Sequence, residues 1–138
     1  MPERTVFMAL DELDLHDVWL DAVNVVEPPG RGWGLLVLEI GAVPAYDGKF
    51  GARLHFEECM SMRLNLNFGV TPRDSIRQAT TTEHSMETAE LLNRWRAIGS
   101  DVHGFRTHII ETNSTASTMT VVCRRVLLER VAGSGKHM

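Results

Sequence analysis

Nowhere does this 138-residue chain hold the ~18 uninterrupted apolar residues that a membrane-spanning helix needs. Its first residues, Met1-Pro2-Glu3-Arg4, lack a basic stretch leading into an apolar one, so no signal peptide is expected. Cysteine is scarce. Cys59 and Cys123 are too few for a disulfide framework or a ligand cluster, and a reducing cytoplasm is the expected home. Basic charge is short too: 14 Lys and Arg stand against 18 Asp and Glu, and the net of −4 excludes the strongly basic footprint of a nucleic-acid binder. Catalytic signatures are missing. There is no Gly-x-Ser-x-Gly elbow, no Cys-x-x-Cys and no His-x-x-x-His, and Gly135-Lys136 lacks the strand and helix that frame a phosphate loop.

What is present is an ordinary folding composition, 43% apolar and 23% charged. A chain of this length buries roughly two-thirds of its unfolded surface without a covalent staple. Residues 1–132 are expected to form one globular domain, and residues 133–138 a flexible tail of the kind an expression vector leaves behind, which removes His137 from the site candidates.

The patterning is mostly that of strands. Residues 5–10 form a short apolar run, residues 11–17 an acidic turn, and residues 18–26 an apolar β-branched strand. The Pro- and Gly-rich break at 27–32 turns the chain back into an apolar strand at 33–42, which predicts an antiparallel hairpin. After a loop at 44–51, residues 52–58 alternate. Residues 60–68 alternate more strictly, with Met60, Met62, Leu64, Leu66 and Phe68 on one face. The parity changes at Glu58-Cys59, which predicts a bulge or a bend. Thr71-Pro72-Arg73-Asp74 has the form of a helix start, good for a turn or two, and residues 80–82 read as loop. The one substantial helix spans about 85–98, with Leu91, Leu92, Trp95 and Ile98 on its apolar face and Gly99 at its C-cap. Two final strands, 105–112 and 118–130, flank the turn Asn113-Ser114-Thr115, and a bulge near Arg124-Arg125 would set Met119, Val121, Cys123, Val126 and Leu128 on one core face. The expected fold is α+β, mostly antiparallel β: about seven strands as a curled sheet or sandwich with one helix packed on it.

Charge is distributed unevenly. Residues 1–47 carry nine acids against two bases, a net of −7, whereas residues 48–138 carry nine acids against twelve bases, a net of +3. Asp11, Glu12, Asp14, Asp17 and Asp21 fall within eleven positions. Such a cluster suits a basic protein surface or a hard cation, and its bland alternative is a solvated loop. Leu15-His16-Asp17 places a histidine beside an acid, as in the metal-binding pair of certain phosphohydrolases, but those use a helical scaffold. His55 and Glu57 share a strand face, and Arg106 and His108 would share another if Phe105 and Ile109 point inward. His84 and His103 lie at the helix start and in a turn. Trp19, Trp33 and Trp95 read as core, except that Trp33, beside Arg31, would anchor an interface if it stood out at its hairpin tip.

The order Leu15-His16-Asp17, short strand, Pro/Gly turn, apolar strand, then Leu54-His55-Phe56-Glu57-Glu58-Cys59 leading into the 60–68 strand resembles small bacterial immunity-type proteins. The likeness covers residues 13–68. It implies one-to-one binding of a toxin of a polymorphic or contact-dependent system, and it assigns no residue a role. The function expected is therefore a non-enzymatic cytoplasmic binding protein without a cofactor. It would occlude a partner protein with a basic surface, such as a nuclease toxin, through Asp11, Glu12, Asp14, Asp17, Asp21 and Trp33, with no direct contact to nucleic acid or membrane. The alternative is a small-molecule or metal site inside the curled sheet, drawn from His16, Asp17, His55, Glu57 and His108. A third reading is a homo-oligomer joined along an exposed strand edge.

Overall fold

A computed structural model describes residues 3–27, 32–69 and 73–131. The tip of the first hairpin, the Thr71-Pro72 pair and the tail 133–138 lie outside the described residues. Among the described residues there are seven strands, β1 (Arg4–Phe7), β2 (Trp19–Val26), β3 (Gly34–Ile40), β4 (Ala52–Asn65), β5 (Asp74–Thr82), β6 (Arg106–Thr112) and β7 (Thr118–Arg130), and one α-helix, α1 (Met86–Ala97). All pairings are antiparallel, in the order β1-β7-β4-β3-β2-β5-β6, and β6 also pairs with β7. Six strands therefore close a barrel, so the mostly antiparallel α+β fold is as expected and the curled sheet or sandwich is instead a closed barrel. Closure depends on β7, whose thirteen residues pair with β4 along one edge and with β6 and then β1 along the other. It joins the edges of β6 and β7 that an open six-stranded sheet would expose.

Two segments differ from their local patterns for the same reason. The helix start expected at 71–74 is contradicted at its described end, where β5 begins at Asp74, Thr71 and Pro72 lying outside the described residues, and the polar run 80–82 is the end of β5. Ile76 is the one fully buried side chain of this strand, and its Thr, Arg and Gln neighbours mark a wet outer face that alternation alone could not distinguish from loop. Near the N-terminus the expected strand 5–10 is shorter. It ends at Phe7, and Leu10–Leu13 forms a 3-10 turn whose two leucines insert into the core.

The barrel is filled by side chains. Leu36, Leu38, Leu54, Phe56, Ile76, Ile110, Met119 and Leu128 are fully buried, joined by Leu10, Leu13, Leu15 and Val18 from the segment between β1 and β2. The bulge expected near Glu58-Cys59 is present. Glu58 has a left-handed backbone, and the β4–β7 register shifts between Cys59 and Ser61. β4 accordingly runs unbroken from 52 to 65, and Phe68, beyond its end, is 82% exposed rather than buried. Met119, Val121, Cys123, Val126 and Leu128 do share the core, the parity changing at Arg124-Arg125, where β7 leaves β6 and takes up β1.

Helix α1 packs on the outside of the barrel. Leu92, Val102, Phe105 and Val122 form a second small core with Trp33, Met60 and Trp95. Ser85 caps the helix by accepting from Thr88 N at 3.1 Å. At the other end Gly99, at φ +88°, gives its N–H to Arg96 O while Ser100 N–H bonds Trp95 O, the paired closure that a left-handed glycine allows. The helix stops there, so Ile98 is 79% exposed rather than part of the apolar face.

Candidate functional site

The acidic segment follows the edge of β5. Asp11 Oδ1 accepts from Thr81 N at 2.9 Å, Leu10 N donates to Thr81 Oγ1 at 2.8 Å, and His16 Nδ1 donates to Arg77 O at 2.8 Å. Asp17 N bonds Ile76 O, and Ile76 N bonds Val18 O. Residues 10–18 thus cover the length of β5 beyond its two-residue pairing with β2. The leucines point in and the acids are left outside.

The five acids do different things. Asp11 holds the β5 edge, Glu12 accepts from Ala9 N to close the 3-10 turn, and Asp21 pairs with Arg73 at 2.7 Å. Asp14 and Asp17 are exposed, with left-handed φ of 50° and 66°, a conformation that Asp tolerates better than most residues. Among the described residues neither is paired with a lysine or arginine. Asp17 has His16 Nε2 at 3.3 Å and Asn113 Nδ2 at 3.5 Å.

The histidines do not converge. His16 lies on the acidic segment. His55, on the outer barrel face, is 3.0 Å from Glu129 Oε1, and Glu57 pairs with Arg125 at 2.6 Å. His108 is inside the barrel, 2% exposed, reversing the expected orientation of β6: His108 and Ile110 face inward, while Thr107 and Ile109 face α1. Among the described residues no three His, Cys, Asp or Glu side chains lie together as a metal ligand set. The ring of His108 has Phe56 5.8 Å away and its Nδ1 2.7 Å from Thr81 Oγ1. Burial, then the charge of Arg106, pushes its pKa down to about 4 against a smaller opposing pull from Asp11.

Trp33 does not stand out at a tip. Its ring centroid is 5.8 Å from Trp95 and 5.2 Å from Phe105, so it fastens α1 to the barrel. Trp19 is the more exposed indole, with the Arg73 guanidinium 4.6 Å from its ring centroid. Scans against protein-family models, curated proteins and solved structures find no match.

Two features gave no sequence signal. A groove of about 620 Å3 runs between α1 and the outer barrel face, with Ser61, Thr107 and Thr120 on its floor and Arg63, Glu87, Glu90 and Arg94 at its rim. Beside it His84 Nδ1 meets Thr107 Oγ1 at 2.8 Å. The second feature is an acid-capped turn. Asp74 accepts from Ser114 N at 2.9 Å, from Thr115 N at 3.1 Å and from Thr115 Oγ1 at 2.6 Å. Burial alone would raise the Asp74 pKa, but these donors outweigh it and hold the carboxyl well below the usual range. Among the described residues no helix is long and apolar enough to cross a membrane.

Proposed function

We propose that this chain is a non-enzymatic, cytoplasmic, immunity-like binding protein that occludes a basic partner protein, such as a nuclease toxin. The observation that carries the reading is the exposure of Asp14 and Asp17: two carboxylates without a Lys or Arg partner among the described residues, on a segment tied to β5 by backbone hydrogen bonds. A rigid acidic rim attracts a basic cleft over a Debye length, roughly 8–10 Å at moderate salt, and once docked it occupies the place of substrate phosphate. Asp11, Glu12 and Asp21 contribute charge at the rim while their hydrogen bonds and ion pair hold its shape.

The test is capture from a lysate of the producing cells by wild type and by an Asp14→Asn/Asp17→Asn double variant, read by mass spectrometry. Asparagine keeps the left-handed backbone and removes only charge. One basic protein held one-to-one by wild type and weakened roughly tenfold or more by the variant, with association slowing as salt rises, is the expected result. Equal retention by the variant overturns the acidic-rim reading. No stoichiometric partner at all turns attention to the groove beneath α1 as a small-molecule site.

A further inference from the structure

Cys59 and Cys123 occupy directly opposite positions in the antiparallel β4–β7 pair. Both side chains enter the barrel core and both are free thiols, Cys59 Sγ donating to Phe56 O at 3.0 Å and Cys123 Sγ to Arg125 O at 3.6 Å. Opposite residues of an antiparallel pair have Cα atoms about 4.5–5.5 Å apart, within the ~4.4–6.8 Å that a disulfide spans. The local backbone brings about this pairing. The left-handed Glu58 and the parity change at Arg124-Arg125 turn both cysteines to the same side, in register.

We propose that Cys59 and Cys123 form a modification site: a latent disulfide across the β4–β7 seam, closed by a small peroxide. Cys59, 4% exposed against 0% for Cys123, is the thiol that a peroxide reaches first. The Cys59 thiol gives up its proton, its sulfur takes one oxygen to become a sulfenic acid, and the hydroxide released takes up that proton as the first water. The Cys123 sulfur then attacks the Cys59 sulfur, the S–S bond forms, and the hydroxyl departs with the Cys123 proton as the second water. Two thiols lose two electrons and two protons, and one peroxide becomes two waters. The neighbouring Cys59 sulfur, then burial, pushes the Cys123 thiol pKa up, so the pair is stable as thiols and closes slowly. The site is independent of the partner-binding reading.

The test treats the intact protein with hydrogen peroxide about 5 °C below its Tm, where the barrel opens locally and often. After denaturation and alkylation, intact mass and a non-reducing peptide map are read. The expected result is disappearance of both alkylatable thiols and a linked β4–β7 peptide pair carrying two hydrogens fewer than its two thiol peptides, any oxygen on methionine being counted separately. Tm should rise by roughly 10 °C because the bridge closes a long loop, and dithiothreitol should reverse the rise. Cys59→Ala and Cys123→Ala, each compared with itself before and after peroxide, should show no rise. Two intact thiols, oxygen added to a single sulfur without a bridge, or a bridge that lowers Tm would each overturn the proposal.

Discussion

Thr81 Oγ1 lies 2.7 Å from His108 Nδ1 while accepting the Leu10 N–H at 2.8 Å. With one proton and two lone pairs, the hydroxyl holds the Leu10 amide and the neutral His108 ring at the same time. One hydroxyl thus joins the barrel interior to the acidic segment outside it.

Acid should weaken the fold through His108. The unfolded ring takes up a proton from pH 6.5 downward, whereas the native ring does so only near 4. Stability from this group is therefore full above pH 6.5 and falls between 6.5 and 4, by about 3 kcal/mol in all. His108→Asn, whose amide oxygen can accept from Thr81, should abolish that part of the slope. Urea titrations at pH 7, 5.5 and 4 measure it, and parallel pH profiles for the two proteins would refute it.

The Asp74 cap should matter at lower pH still. Its native pKa is held below the ordinary carboxylate value, so its contribution is present above that value and lost as pH falls beneath it. Asp74→Ala strands the amides of Ser114 and Thr115 and the Thr115 hydroxyl, and should cost roughly 2 kcal/mol near neutral pH. A Tm change of less than a degree would show that water replaces the cap.

Arg124 should not tolerate lysine. Its guanidinium donates to Asp101 O at 2.5 Å, His103 O at 3.1 Å and Glu58 Oε1 at 3.1 Å while lying 4.6 Å from the Phe105 ring centroid. A planar fork makes these contacts together and an ammonium cannot. Arg124→Lys is expected to lose most of what Arg124→Ala loses, roughly 1–2 kcal/mol by chemical denaturation. Full retention of stability by the lysine variant would contradict this.

The acids should divide by their roles. Asp14→Asn and Asp17→Asn are expected to leave stability within about 0.5 kcal/mol of wild type. Asp11→Ala, which frees the Thr81 amide, should cost about 1 kcal/mol. Thermal melts of the three variants suffice, and equal losses from all of them would show that the whole segment is structural.

The sequence alone determined the elements whose patterns are local. Two apolar runs, the first β-branched, and a Pro/Gly break predict the β2–β3 hairpin, a serine cap and a terminal glycine bound α1, and the Glu58-Cys59 parity change marks a real bulge. The exposed acids, too, were legible as charge density, because charge resists burial whatever the fold. Tertiary structure decided what depends on a neighbour distant in the chain. β5 is a strand because β6 and the 10–18 segment hydrogen-bond its two edges, although most of its side chains are polar. His108 faces inward because the β5 and β7 registers set the parity of β6, and a strand offset by one residue turns every side chain to the other face. Cys59 and Cys123 face each other only because β7 lies beside β4, a pairing no local pattern encodes. Whether a sheet becomes a sandwich or a barrel rests on whether its last strands find its first, and here β7 is long enough to meet β4 on one edge and β6 on the other.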